Sequence, residues 1–196
     1  MGAICAHFLW MGAFCSHFLF LLRCKDFMQK KTRFLAHAAM IGALYATLTH
    51  LQNILLPGSA TWAIQFRVSE ALCVLALYSP TAIAGLSIGC LLFNLSYAGA
   101  LPLDFVLGTG ATLLATAAMW LTRNIKIKGF PLLSLLMPAI FNALLVGWEL
   151  SIYIGGAFWL NAAYVAIGEL AVLFVLGSAL YYTIRSRHLD TRLFGK

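Results

Sequence analysis

Long apolar runs are the feature of this sequence that most limits its possible folds. Beyond residue 33, six such runs follow one another, separated by Pro, Gly or basic residues. Only 10% of the 196 residues are charged, so the chain cannot cover a water-facing surface, for which a soluble domain uses about 25%. Because about 20 apolar residues cross a bilayer, we predict an all-α polytopic membrane protein with six transmembrane helices. The runs cover residues 34–56, 64–79, 80–99, 103–122, 131–153 and 158–184.

Basic residues lie between these runs, and twelve of the 13 fall in three clusters. Four runs separate the first cluster from the second, and two separate the second from the third, so all three fall on one side of the membrane. The positive-inside rule makes that side the cytoplasm. We therefore predict a multi-pass plasma-membrane protein whose six-helix domain has both termini in the cytoplasm. The net charge of +7 does not indicate a nucleic-acid partner, because no soluble segment mixes basic and aromatic residues. The clusters are Arg23, Lys25, Lys30, Lys31 and Arg33; Arg123, Lys126 and Lys128; and Arg185, Arg187, Arg192 and Lys196.

Few charged or amide side chains lie inside the runs, and these are the candidate functional residues. A charge at the bilayer centre costs roughly 2.5–3.5 kcal/mol, so such a residue faces the bundle or water. Arg67 and Glu70 make the second run short and charged, so we expect it to tilt or to lie partly in protein. They can form a structural ion pair, because they are three residues apart. Most of the candidates lie toward the outer half, which suits a ligand cavity that opens outward. The candidates are Arg67, Glu70, Asn94, Asp104, Asn142, Glu149, Asn161 and Glu169.

Small residues recur at helical spacing in the first run. Such small-xxx-small faces let two membrane helices approach closely. Two interpretations stay open: the face packs against another helix of this chain, or it docks on a partner protein. The residues are Ala38, Ala39, Gly42, Ala43 and Ala46.

Motifs of several catalytic classes are absent from the sequence. It has no G-x-x-x-x-G-K-[ST] phosphate loop, no G-x-S-x-G nucleophile elbow and no H-E-x-x-H zinc motif. We therefore predict that the chain is not an enzyme, takes no cofactor or metal, and cannot hydrolyse ATP by itself. The alternative from another class is an intramembrane enzyme that uses the buried carboxylates as acid and base.

Residues 1–27 form an apolar extension in which a ten-residue phrase occurs twice, each time with a Cys-x-His pair. On one helix the two pairs would lie about 15 Å apart, which is too far for one zinc ion. The segment is long enough to be a seventh span. Alternatively, translation begins at Met28, which we prefer because a short basic head follows it. We accordingly divide the chain into the extension, 1–27, and a six-helix membrane domain, 28–196.

Three stretches of the sequence resemble the QueT family. They are IQFRVSEALCVL at 64–75, PTAIAGLSIGCLLFN at 80–94 and FWLNAAYVAIGE at 158–169, and the resemblance covers about residues 28–187. QueT proteins are the substrate-binding S components of bacterial energy-coupling-factor (ECF) transporters, with queuosine precursors as their predicted cargo. The resemblance therefore implies a six-helix S-component bundle. An S component of the same architecture for another vitamin-like ligand is the alternative.

The resemblance also implies a transport mechanism and partners. An S component binds its ligand from outside and docks on a module made of a transmembrane coupling subunit and two ATPases. It then topples in the bilayer and releases the ligand inside. The Ala/Gly face of the first run would be the docking surface, whether the module is shared with other S components or dedicated to this one.

A 7-deazaguanine base suits the candidate residues, because it presents N1–H and an exocyclic amine as adjacent donors. One carboxylate can accept both in a bidentate pair. We expect Glu149 or Glu169 in that role, without a sequence signal to choose between them, and Trp159 stacked on the base. Asn94, Asn142 and Asn161 are expected to complete the hydrogen bonds.

Overall fold

The computed structural model describes residues 2–57, 59, 66–97, 99–187 and 189, with side chains from residue 29 onward. The described chain is helical, which confirms the predicted all-α class, and its N-terminal apolar segment is helical as well. A π-helical segment, Leu173–Gly177, joins the last two helices. The elements are α1, Gly2–Leu55; a 3₁₀ helix, Val68–Leu77; α2, Thr81–Ser96; α3, Asp104–Thr122; α4, Leu132–Tyr153; α5, Phe158–Val172; and α6, Ser178–Ser186.

The chain divides into two compact units, Met1–Ala36 and His37–Lys196. The first is helical from Gly2, and its described side chains, 29–36, are exposed. The cysteines and histidines of the repeated phrase lie outside the described side chains. The predicted boundary after residue 27 therefore stays a prediction.

Four helical stretches of the described chain are long and apolar enough to cross a membrane. The second and third predicted spans are shorter, because they form the 3₁₀ helix and α2. Ten residues of 3₁₀ helix rise only about 20 Å, less than the roughly 30 Å of a hydrocarbon core. The four stretches are Gln29–Leu55, Asp104–Thr122, Leu132–Tyr153 and Phe158–Ser186.

The 3₁₀ helix lies inside the protein, as expected for the short, charged second run. Cys73, Val74 and Ala76 are fully buried in its middle. Large side chains from other helices pack in the same core, including Tyr45 of α1 and Met119 of α3. Irregular backbone at membrane depth is tolerated where protein surrounds it, which explains why this segment can be short.

Glycines bring α1 and α2 into backbone contact. A Cβ added to Gly89 would lie 2.6 Å from the carbonyl oxygen of Gly42, and one added to Gly85 would lie 2.7 Å from that of Ala38. Helices approach this closely only where both present small residues. The structure thus uses Ala38 and Gly42, two residues of the small-residue face, for packing within the chain.

Gly89→Ala is expected to destabilise the protein by about 1–3 kcal/mol. The added methyl group would clash with the backbone of Gly42, which cannot move aside as a flexible side chain could. Gly110→Ala is the matched control, since nothing lies within 4 Å of a Cβ there. That change should be neutral or stabilising by up to about 1 kcal/mol. Thermal unfolding in detergent measures both variants. Equal stability of the two would contradict the close crossing.

Candidate ligand-binding site

A buried ion pair joins the start of the 3₁₀ helix to α3. Arg67 Nη2 donates to Asp104 Oδ2 at 3.1 Å, and both side chains are buried. Asn94 of α2 donates from Nδ2 to the main-chain oxygen of Asp104 at 2.8 Å. The sequence suggested Glu70 as the ion-pair partner of Arg67, and the structure places Asp104 in that role. The pair spans 37 residues, so helical spacing could not identify it.

Glu70 is held by two other side chains. Tyr45 of α1 donates its hydroxyl hydrogen to Oε1, and Cys73 donates from Sγ to Oε2 at 3.0 Å. Residues i and i+3 eclipse one another in a 3₁₀ helix, which sets Cys73 directly over Glu70. Both carboxylate oxygens are thus occupied within the protein, so Glu70 is better explained as a structural residue than as a ligand contact.

A polar stripe on α1 fixes the 3₁₀ helix, and we did not identify it from the sequence. Thr49 donates to Ser69 Oγ at 2.7 Å. Gln52 donates to the carbonyl oxygen of Phe66 and accepts from the Val68 amide at 2.8 Å. The available signal was the spacing of Tyr45, Thr49 and Gln52 at i, i+4 and i+7, which puts three polar side chains on one face of an apolar helix.

A second polar group lies between α4 and α5. Asn142 donates from Nδ2 to Glu169 Oε1 at 3.0 Å. Glu149 is 0% exposed and Glu169 is 1% exposed. The two helices pack tightly, because a Cβ on Gly147 would lie 2.8 Å from the Cα of Ala162. Sequence spacing placed Asn142 on the face of Glu149, but its hydrogen-bond partner is Glu169.

The two polar groups belong to one electrostatic region. The charge of Arg67 acts on Asp104 and Glu70, and also on Glu149 and Glu169. Among the described residues Arg67 is the one buried basic side chain beside four buried carboxyl groups, and it already pairs with Asp104. Charges interact more strongly at the low effective dielectric of such a buried site than in water, so the region favours groups that donate hydrogen bonds or carry positive charge.

Several oxygens of this region are buried and accept no hydrogen bond from any described residue. More than 90% of buried polar groups in proteins have a partner, so each exception requires an explanation. All of these atoms are acceptors, and together they match a ligand rich in donors. They are both carboxylate oxygens of Glu149, Oε2 of Glu169, Oδ1 of Asn94 and Oδ1 of Asp104.

The described contacts of two other predicted site residues lie elsewhere. Asn161 donates from Nδ2 to the carbonyl oxygen of Gly155 at 3.0 Å, which closes the α4–α5 turn. Trp159 is 76% exposed and lines an apolar groove on the outer side of α4 and α5, so this structure does not support stacking on a buried ligand. The aromatic pair of the region is instead Phe93 and Tyr97, stacked at 5.4 Å.

One comparison with known proteins gave a match. A family model described as QueT transporter matches residues 35–186, well over half of the chain. The matched segment contains every residue of both polar groups. Neither the curated proteins nor the solved structures that were compared with the chain gave a match.

Proposed function

The chain belongs to the QueT transporter family, and from this premise we propose that it is the substrate-binding S component of an ECF importer. In this role it sits in the plasma membrane as a multi-pass protein, captures a queuosine precursor from outside and delivers it inward with a partner module. One observation carries the proposal: a set of buried acceptor oxygens between α2, α3, α4 and α5 without partners among the described residues.

A 7-deazaguanine base supplies the missing donors. Its N1–H and exocyclic amine can pair with the two oxygens of one carboxylate. Glu149 is the better candidate for this pair, because both of its oxygens are unpartnered, whereas Asn142 already occupies one oxygen of Glu169. In this proposal the second oxygen of Glu169 and the side-chain oxygen of Asn94 accept further hydrogens from the ligand.

The exposed part of the small-residue face is proposed as the docking surface for the coupling subunit. Ala39 and Ala43 are exposed one turn apart on α1, and Ala46 is half-buried. Their neighbours Ala38 and Gly42 face α2, so α1 presents small residues on two sides. Close approach of a second protein helix requires such a surface, and the partner ATPases would act through that helix.

Ala43→Trp is expected to reduce uptake at least tenfold, because an indole would separate two helices that must nearly touch. Binding of the ligand by the isolated chain should not change, since Ala43 lies outside the buried polar region. Leu44→Trp is the control, because Leu44 is also exposed and points about 100° away on the helix. Equal uptake by the two tryptophan variants would contradict docking at Ala43.

Uptake of a labelled queuosine precursor tests the function as a whole. Cells that make the chain together with an ECF module should accumulate the label, and cells that lack either component should not. Accumulation without this chain would refute its role in import of that ligand. Import of a vitamin in place of the precursor would support the S-component architecture and refute the deazaguanine ligand.

A further inference from the structure

A cavity of about 190 Å³ lies among the end of the 3₁₀ helix, the end of α3, the α3–α4 loop and α6. Its lining consists of three cationic side chains, two phenolic side chains and two apolar residues. No described carboxylate lines it. The lining residues are Leu77, Tyr78, Arg123, Lys126, Pro131, Tyr181 and Arg185.

The α3–α4 loop has a defined conformation at this cavity. Ile127 and Phe130 exchange two backbone hydrogen bonds of 2.9 and 3.0 Å around Lys128 and Gly129, both of which have positive φ, 50° and 82°. This is the geometry of a two-residue type I′ turn. A lysine in the left-handed region is unfavourable, so neighbouring contacts must hold it.

Those contacts come from α6. The carbonyl oxygen of Gly129 accepts from Arg185 Nη1 at 3.2 Å and from the Tyr181 hydroxyl at 3.4 Å. The ring of Phe130 packs against Tyr181 and Tyr182 at centroid distances of 5.6 and 5.8 Å. The loop and α6 are therefore fixed to one another, and with them the cations that each contributes.

Contacts within the protein fix the two arginines of the cavity but do not use all of their N–H donors. The guanidinium of Arg123 lies 3.6 Å from the ring centroid of Trp120 and donates to that residue's carbonyl oxygen at 2.5 Å. Arg185 is held by Gly129 and by the Tyr181 hydroxyl oxygen at 3.4 Å. A guanidinium has five N–H donors, and these contacts leave donors on each arginine for an oxyanion.

We infer that this cavity binds the phosphate group of an anionic membrane lipid. Arg and Lys are the side chains that bind phosphate oxygens, Arg in a planar fork and Lys as a point charge. The cavity lies among the basic residues that the positive-inside rule assigns to the cytoplasmic surface. Basic pockets between transmembrane helices at that surface suit anionic headgroups. The inference does not depend on the transported ligand.

Arg123→Gln/Lys126→Gln is expected to bind phosphatidylglycerol roughly 20- to 30-fold more weakly than the wild type, because each cation near the membrane surface contributes about fivefold. Native mass spectrometry of the full chain in neutral detergent measures this, with phosphatidylcholine as the comparison lipid. Lys128→Gln/Arg187→Gln is the control, since it removes the same charge from residues outside the lining. Lys126→Gln alone should weaken binding about fivefold. Because Lys126 is exposed, this change should leave the fold intact, so weaker binding by this variant would report the loss of the cation and not misfolding.

Glycerol phosphate without a lipid tail identifies the source of the phosphate. If glycerol phosphate binds only at concentrations far above those needed for phosphatidylglycerol, the ligand of the cavity is the lipid. Equal binding of the two would contradict the lipid assignment and indicate a soluble phosphate ester as the ligand. The inference also fails if the double variant binds phosphatidylglycerol like the wild type. It fails likewise if the control variant weakens binding as much, or if phosphatidylcholine binds as well.

Discussion

Glu149→Gln is expected to weaken binding of a 7-deazaguanine base by more than tenfold. The carboxylate is fully buried and neither oxygen accepts a hydrogen bond from a described residue. A bidentate pair with the ligand would therefore be its main interaction. Hydrogen bonds to charged groups contribute about 1.5–3 kcal/mol, and an amide can accept only one of the two donors. Isothermal titration of the purified chain measures the change.

The same titration can show where on the ligand the carboxylate acts. A 7-deazahypoxanthine lacks the exocyclic amine, so the wild type should bind it much more weakly than the deazaguanine. Glu149→Gln should lose most of that discrimination, because the two changes remove the same interaction. Ser151→Ala, which removes a hydroxyl from the same helix outside the buried region, should bind both ligands normally. Unchanged affinity in Glu149→Gln and in Glu169→Gln would exclude both carboxylates as the ligand contact.

Arg67→Met is expected to destabilise the protein by about 3–5 kcal/mol, the cost of leaving one partner of a buried ion pair without the other. Asp104 loses its charge partner, and the field that Arg67 exerts on Glu149 and Glu169 is lost with it. A membrane protein of ordinary stability should then give little folded material. Thermal unfolding in detergent and the yield of monodisperse protein report this loss.

Arg67→Met/Asp104→Leu separates the ion pair from the rest of the region. Replacement of a whole buried pair by apolar residues is often close to neutral, so the double variant should recover part of the lost stability. Arg187→Met, at an exposed basic residue, controls for loss of charge alone. A single Arg67→Met variant as stable as wild type would show that the ion pair does not hold the 3₁₀ helix and α3 together.

The helical runs and the membrane class could be predicted because hydrophobicity is a local property. The family could also be inferred, since its motifs are continuous stretches. The conformation of the second run could not be predicted, because its ten-residue 3₁₀ helix is buried by side chains from distant parts of the chain, including α1, α2, α3 and α6. Its sequence suggested that it lies partly in protein, but not which helices surround it.

The pairing of the polar residues depends on tertiary contacts that spacing does not encode. Arg67 meets Asp104 across 37 residues, and Asn142 meets Glu169 across 27. Rules for i and i+3 or i+4 apply only along one helix. The orientation of a side chain is likewise not encoded by its position along the sequence. The position of Trp159 suggested a place beside the ligand, whereas the rotation of α5 exposes its side chain.

The small-residue face illustrates how one pattern can serve two purposes. Ala38 and Gly42 meet α2, while Ala39 and Ala43 are exposed. The sequence left open whether the face packs internally or docks on a partner. Internal packing explains two of the residues, and docking is the proposal for the two that are exposed.

Equilibrium binding of deazaguanine bases to the purified wild-type chain, without any partner protein, tests the proposed ligand most directly. A titration across 7-deazaguanines, 7-deazahypoxanthine and a panel of vitamins separates the possibilities. We predict saturable binding of one deazaguanine per chain, weaker binding of the deazahypoxanthine, and no binding of the vitamins. Saturable binding of a vitamin together with no binding of any deazaguanine would contradict the assignment of the buried carboxylates to a queuosine precursor.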